Sequence, residues 1–449
     1  MSRSAQLDQI RLFLSKGPAG ARQLIEKIRI SQPTLSRALS ALGKEIVRFG
    51  AARSIQYALH DTRRGLDEIP IYRVSEEGKV MRLGSLTPVR PDGFVMRQRD
   101  GVTLHSHSLP WWLLDMRPQG FLGRAYAFRH AQMLGLPAGL SDWSDAHMLR
   151  ALMAHGHDPV GNLLLGDMAR DHFLQSSLPA PIKKKAKGQA YARLAKDASS
   201  GDTPGSSAGG EQPKFTTFAE TVRGTCHVLV KFTLPDANPI TERWRDLLLA
   251  EHHALETLAA AGVLAARSCV IDHAGQRFLE LERFDREGLS GRRGLFSLAS
   301  MEAEFVGDAT APWPAIAARL AEGHHIAKEA VSGTALLYAF GKLIGNTDMH
   351  NGNLSFTSEK GRPYVLAPSY DMLPMGFAPR SGGSLPDRLP QATLHASVNT
   401  ETWKTALILA NDFLERICAD DRFSNAFDPC IASLAAHIGD AELKISRLG

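Results

Sequence analysis

Asp348 stands five residues before Asn353 in the run Ile344-Gly345-Asn346-Thr347-Asp348-Met349-His350-Asn351-Gly352-Asn353, and Asp371 follows 23 residues after Asp348. A carboxylate on such a loop can take the proton of an attacking hydroxyl. A carboxamide and a second carboxylate, both hard oxygen donors, can hold a magnesium ion against a phosphate. That division of labour is phosphoryl transfer, but Asn, Asp and Gly are also what an ordinary turn contains. The motif therefore needs partners elsewhere in the chain. Lys231 is a first candidate, closing the strand-like run Cys226 to Phe232 where another Val or Ile is expected. An ammonium at that place can reach nucleotide phosphates and is commonly paired with a helix glutamate. Glu251 fits that partner, with Glu242 and Glu256 competing for it.

A second candidate lies just upstream. From Ser199 the chain turns small, through Ser206-Ser207-Ala208-Gly209-Gly210-Glu211-Gln212-Pro213-Lys214. Glycines let backbone N–H groups approach phosphate oxygens, and hydroxyls add donors. The stretch fits neither standard glycine-rich phosphate fingerprint, and a flexible linker would have a similar composition. It feeds directly into strand-like residues Lys214 to Phe218, which favours a loop serving a sheet. Phe278 to Arg286 is a further strand running into a charged segment, where a hinge would fall, and Tyr364 to Asp371 is a strand ending in its carboxylate.

These parts must be positioned by elements, and 449 residues are too many for one core. Two or three domains are expected from a chain with 44% hydrophobic and 22% charged residues. No apolar run approaches the roughly 20 residues of a bilayer span, and Met1 to Gln6 lacks a secretory signal's apolar stretch. A cytoplasmic protein without membrane attachment is the expectation. Its four scattered cysteines suggest reduced thiols rather than zinc ligands or disulfides. The histidine pairs His252-His253 and His324-His325 and the run His155-Gly156-His157 lack an accompanying acidic or thiol set, so capping or solvated roles are expected of them. The run Lys183-Lys184-Lys185 with Lys187 reads as a solvated helix face.

Charge is uneven along the chain. Residues 1–65 carry a net +8 and the remainder −3, the electrostatic footprint of a nucleic-acid-binding unit. Leu7 to Leu14 and Ala21 to Ile28 have helical periodicity. A third helix follows with Ser31 as N-cap, Pro33 in its first turn and Gly43 as its stop. Burial of Leu35, Leu39 and Leu42 would leave Gln32, Thr34, Ser36 and Arg37 free to meet base edges. Ile46 to Phe49 and Ser54 to Leu59 then form a hairpin, whose Arg48 and Arg53 suit phosphate contacts. Over about 60 residues this segment resembles winged helix-turn-helix domains that bind duplex DNA.

From about residue 69 onward the chain resembles the HipA family of serine/threonine kinases, the toxin component of bacterial toxin–antitoxin systems. The resemblance rests on Ser207 to Lys214, Val230-Lys231-Phe232, Glu282-Arg283-Phe284-Asp285-Arg286, Gly345 to Phe356 and Ser369-Tyr370-Asp371, in that order. It implies a multidomain α+β chain. Residues 1–65 form the winged helix-turn-helix, 69–285 a small β-rich subdomain with the kinase N-lobe and ATP loop, and 286–449 a mostly helical C-lobe. It implies ATP and Mg²⁺, with Asp348 catalytic and Asn353 and Asp371 on the metal. Ser207, Gly209, Gly210, Gln212, Lys214, Lys231 and His350 would lie on the nucleotide, and Glu280, Glu282 and Phe284 around adenine. Ser207 falls where the family carries a regulatory autophosphorylated serine. Because this loop departs from the family's usual Gly-Ala-Gln-Glu-Lys, Ser206 competes for that role. The expected partners are a protein substrate, components of translation among them by family analogy, double-stranded DNA, and a second copy of the chain. Two other readings remain open: a small-molecule phosphotransferase of the aminoglycoside or choline type, and a DNA-binding regulator that senses nucleotide without turnover. Asn346 stands where the former place a histidine.

Overall fold

The computed structural model describes residues 2–176, 180–199, 212–358 and 361–448. The N-terminal unit consists of α1 (Arg3–Leu14), β1 (Ala19–Gly20), α2 (Ala21–Ile28), α3 (Gln32–Leu42), β2 (Ile46–Phe49) and β3 (Gln56–Leu59). Ile10, Leu14, Leu24, Ile28, Leu35 and Leu42 meet in its core. Ser31 Oγ accepts from the Thr34 amide at the start of α3, and Gly43 stops the helix with φ +52°, a conformation that costs glycine little. The strands pair in the order β1-β3-β2.

A middle unit follows: β4 (Ile69–Val74), β5 (Val80–Val89), β6 (Gly93–Gln98), β7 (Thr103–Ser106), α4 (Gly120–His130), α5 (Asp145–His155), β8 (Leu163–Leu165) and α6 (Gly166–Gln175). Its sheet runs β7-β6-β5-β4-β8, with Ile71, Leu86, Phe94, Leu113 and Leu149 buried between layers. The hairpin β2–β3 is not free of this sheet. Val47, Phe49 and Ala58 pack on Val89 and Val95, the Phe49 ring stacks on His105 at 4.9 Å, and the Gly50 amide donates to Thr103 Oγ1 at 2.8 Å. The joint between the units is an ionic knot, in which the buried carboxylate of Asp61 takes Arg63, Arg64 and Arg90.

Beyond α7 (Lys187–Ser199), four antiparallel strands form a sheet ordered β11-β12-β10-β9, from β9 (Lys214–Thr221), β10 (Gly224–Phe232), β11 (Ser268–His273) and β12 (Gln276–Glu282). α7 covers one face through Tyr191 and Ala195. The long α8 (Pro239–Ala260) covers the other, where Leu247, Leu255 and Leu258 meet Leu279 and Leu281. Short pieces β13 (Arg286–Glu287), β14 (Gly291–Arg292) and β15 (Gly294–Ser297) then lead into α9 (Leu298–Phe305), α10 (Trp313–Glu322) and α11 (Lys328–Leu343). β16 (Ser355–Ser358) and β17 (Val365–Leu366) pair beside β15, and α12 (Thr400–Ala419) and α13 (Asp428–Ile445) close the chain. The core of these C-terminal helices is continuous with the α8 face, so the smaller sheet and the helical body are joined through α8.

Candidate active site

Alternation along β10 decides where Lys231 points. Val228, Val230 and Phe232 face α7, which turns Lys231 toward α8 and the helical body. There Lys231 Nζ meets both Glu251 oxygens at 2.7 Å and also bonds the Asp371 carboxylate. Glu251, fully buried in α8, is therefore the lysine's partner, while Glu242 and Glu256 are exposed. Burial alone would lower the ammonium's pKa, but Asp371 and Glu251 outweigh it and raise it above the usual range. Burial likewise pushes the Glu251 carboxyl up, against the pull of Lys231. For Asp371, burial would raise the pKa, and the ammoniums of Lys231 and Lys214 overcome it, holding the carboxyl at about 2.

Asp371 has φ +52°, a left-handed conformation that is costly for most residues and more tolerable for Asp or Asn. Such strain persists where the surroundings fix it. Asn346 is one such fixture. Buried at the end of α11, it accepts the Asp348 amide on Oδ1 at 3.0 Å and donates from Nδ2 to the Asp371 carbonyl at 3.3 Å. One side chain thus ties the Asp348 loop to the segment of Asp371, which is a bend beyond β17 and not the end of a strand running from Tyr364 to Asp371 as the sequence suggests. Asn353 donates to the Asp348 carbonyl at 2.8 Å, and His350 Nδ1 accepts the Gly352 amide at 3.0 Å. Asp348 itself is braced through its backbone while its side chain stays 51% exposed, with His350 Nε2 4.0 Å away. Partial burial raises its carboxyl pKa; His350 opposes this and Asp371 adds to it.

A cavity of about 470 Å³ opens beside Lys231 and Asp371, and Gly352 brings the loop to its wall, while Asp348, His350 and Asn353 are not among its lining residues. Lys214, Lys231 and Asp371 line its polar end, and Leu229, Ala266, Leu281, Phe284, Leu295 and Tyr370 its apolar part. The Phe284 and Tyr370 rings lie 5.7 Å apart. Tyr370 OH meets Ser355 Oγ at 2.6 Å and the Gly352 carbonyl at 2.8 Å, so the ring is fixed from the Asp348–Asn353 loop and the strand after it. Glu282 lines the cavity as well. Glu280 does not: it is buried on the opposite face of β12, bonded to Lys187 Nζ at 2.8 Å and to Tyr191 OH. Glu280 and Glu282 share a parity in β12, yet of the two only Glu282, the last residue of the strand, borders the cavity. Lys187 is correspondingly no part of a solvated face. Gln212 is turned to the Phe232 carbonyl, outside the cavity lining. Ser206, Ser207, Gly209 and Gly210 lie outside the described residues.

In the N-terminal unit Gln32, Ser36, Arg37, Arg48 and Arg53 are exposed and Thr34 is half-buried. Thr34 Oγ1 bonds Ser31 Oγ at 2.9 Å, and Arg37 leans on the Pro33 carbonyl at 3.3 Å. Thr34, Ser36 and Arg37 line one groove with Arg3 and Gln6 of α1. The Arg48 carbonyl is engaged by Arg97 of the middle sheet at 3.2 Å.

Residues 206–438 match the HipA-like C-terminal domain family and residues 65–174 the middle domain of YjjJ-like toxins. Toxin YjjJ of Escherichia coli (strain K12) is 39% identical over 439 residues, covering 97% of this chain and 98% of the relative. The chain belongs to the HipA-like toxin family. Among solved structures, HipA of Shewanella oneidensis MR-1, determined with HipB and operator DNA, superposes with TM-score 0.54 at 14% identity, over 84% of this chain and 97% of that one. That likeness is one of fold. The HipA-like C-terminal match contains Lys231, Asp348, Asn353 and Asp371, whereas Asp115, Gln119, Leu122 and Asp158, which also line the cavity, come from the YjjJ-like middle segment. Sequence reasoning missed these four, and no local motif marks them. Among the described residues no helix is long and apolar enough to cross a membrane.

Proposed function

We propose that this HipA-like toxin is an ATP- and magnesium-dependent serine/threonine protein kinase with a DNA-binding domain fused to it. The observation that carries the reading is Lys231, bonded at once to Glu251 and Asp371 on the wall of a cavity with Asp348 and Asn353 on the adjoining loop. The donor set fits magnesium. Asp371 and Asn353 offer hard oxygen atoms, and an ammonium already stands against Asp371. Magnesium held there would neutralise charge on the transferring phosphate.

The chain's own residues do the rest. Lys231 and Lys214 present two positive charges to phosphate oxygens, and Glu251 keeps Lys231 extended toward them. Leu229, Leu281, Phe284 and Tyr370 give the adenine ring an apolar slot, with Glu282 at its rim. Asp348, half exposed and braced by Asn346 and Asn353, orients the incoming hydroxyl and accepts its proton. A base 51% exposed and outside the lining of the cavity suits a hydroxyl carried on a protein surface. That favours a protein substrate over an enclosed small molecule. At the other end, the net charge of +8 and the exposed Gln32, Ser36 and Arg37 of α3 support insertion of that helix into a DNA groove.

Incubation of the full chain with labelled ATP, magnesium and cell extract, followed by mass spectrometry, tests the kinase reading. Label on serine or threonine of a discrete protein set is expected. Label confined to small molecules, or nucleotide binding with no transfer at all, would refute it.

A further inference from the structure

The wall of the cavity is closed by an ionic cluster that joins two distant parts of the chain. The turn after α5 brings Asp158 against the segment that follows β12. Its carboxylate receives Arg286 Nη2 at 2.6 Å and Nε at 3.1 Å, and Arg283 Nη1 at 3.1 Å. The backbone of the same turn is engaged as well: Arg286 donates to the Gly161 carbonyl at 3.0 Å and to the Pro159 carbonyl at 2.5 Å. The Gly161 amide in turn donates to Asp285 at 3.1 Å. Asp285 also accepts from Arg283 at 2.9 Å and Arg286 at 2.7 Å. Arg292 approaches Asp158 to 3.8 Å. Three guanidiniums therefore share two carboxylates, and bonds to the backbone of Pro159 and Gly161 brace the same cluster.

Glu282, Arg283, Phe284 and Asp285 line the cavity, and so does Asp158, whose side chain is 39% exposed. We propose that Asp158 is a positioning residue for nucleotide binding: by clamping Arg283 and Arg286 it fixes the Glu282–Asp285 backbone at the cavity wall, and the middle domain thereby sets nucleotide affinity. The proposal rests on the kinase reading above. Ion pairs in such surroundings add little stability over apolar packing, and what they supply is a fixed geometry. Without the Asp158 charge, Asp285 is left to face the guanidiniums, and the segment carrying Phe284 loses the carboxylate part of its anchor while keeping the Arg286 bonds to the Gly161 and Pro159 carbonyls and the Gly161 amide bond to Asp285.

The test uses the full chain and its Asp158→Asn and Asp158→Glu variants. Affinity for trinitrophenyl-ATP with magnesium is read by fluorescence, and amide hydrogen exchange is followed over residues 281–287. The Asn variant should bind about tenfold more weakly, the discounted effect of losing one partner of a part-exposed ion cluster, with faster exchange in that segment. The Glu variant, which keeps the charge, should recover most of the affinity. Asp348 is untouched, so KM for ATP rises while kcat at saturation holds. If the Asn variant fails to fold, Arg283→Lys carries the same expectation, because it keeps the charge but loses the two-sided fork. Binding by the unaltered chain with unchanged affinity and exchange in the folded variants overturns the clamp alone. Failure of the unaltered chain to bind the probe refutes the kinase reading, and the clamp with it.

Discussion

Asp348 and Asp371 are carboxylates on neighbouring loops whose environments drive them apart. Lys231 and Lys214 hold Asp371 at about 2, so it stays ionised at any pH where the protein is handled. Its stabilising effect is fully present above the unfolded carboxylate value and is lost only as pH falls through about 2. Asp348 is raised by burial above the 3.8 of a free aspartate. A base must be deprotonated to act, so kcat/KM for phosphoryl transfer should fall on the acid side through a single proton, with its midpoint above 3.8. A pH–rate profile with no acid limb, or one lying below that value, would remove Asp348 from the role of base. These two residues are legible in the sequence because the chemistry fixes both their types and their spacing within one stretch. Asn346 reads there only as a departure from another family's histidine. Its task of tying two loops together depends on a bond to Asp371, 25 residues away, that no local pattern announces.

Among the elements, β12 is the informative one, since its two faces serve different ends. Leu279 and Leu281 face α8, while Phe278 and Glu280 face α7. The family resemblance puts Glu280 beside adenine with Glu282, and a run of alternating Leu and Glu does not say which face of the strand a helix such as α7 will cover. Lys187 misleads for a related reason: a lysine run reads as solvated unless a helix is known to dock, and α7 does. The pair Lys187–Glu280 is nearly fully buried, and removing one partner leaves an uncompensated charge, at a cost of about 3–5 kcal/mol. Lys187→Met should therefore lower the unfolding midpoint in denaturant markedly while leaving KM for ATP of the folded protein within about twofold, as expected of a site off the cavity. A large rise in KM with unchanged stability would return Glu280 to the nucleotide site.

Across the whole molecule, the N-terminal unit is mounted on the middle sheet through β2–β3 and the Asp61 knot, and the middle unit is fastened to the cavity wall through Asp158. The N-terminal helices and the charge asymmetry are visible in the sequence, but this mounting is not. The apolar face of Val47 and Phe49 looks like the inside of a hairpin, and their partners Val89 and Val95 sit in another unit. With one side of the hairpin covered, the DNA contact proposed for this unit would fall mainly to α3. Arg37→Ala should weaken binding to a preferred duplex and relax its discrimination between bases by about 1–3 kcal/mol, as expected of a side chain on base edges. Unchanged affinity and discrimination would argue that α3 does not meet DNA. The sheets and the helical body are foreseeable in outline from strand-like and helix-like runs. The assembly around Asp158, Asp285 and three arginines is not, since its members lie about 125 residues apart.

In the proposed kinase, Asp348 accepts the proton of a protein hydroxyl as the phosphoryl group is transferred. The most direct measurement compares transfer from labelled ATP by the unaltered chain and by Asp348→Asn, with ATP affinity measured on both. Transfer by the unaltered chain, a drop of about 100-fold or more in the variant, and nearly equal ATP affinity are the predicted results. Undiminished transfer by Asp348→Asn would contradict the claim.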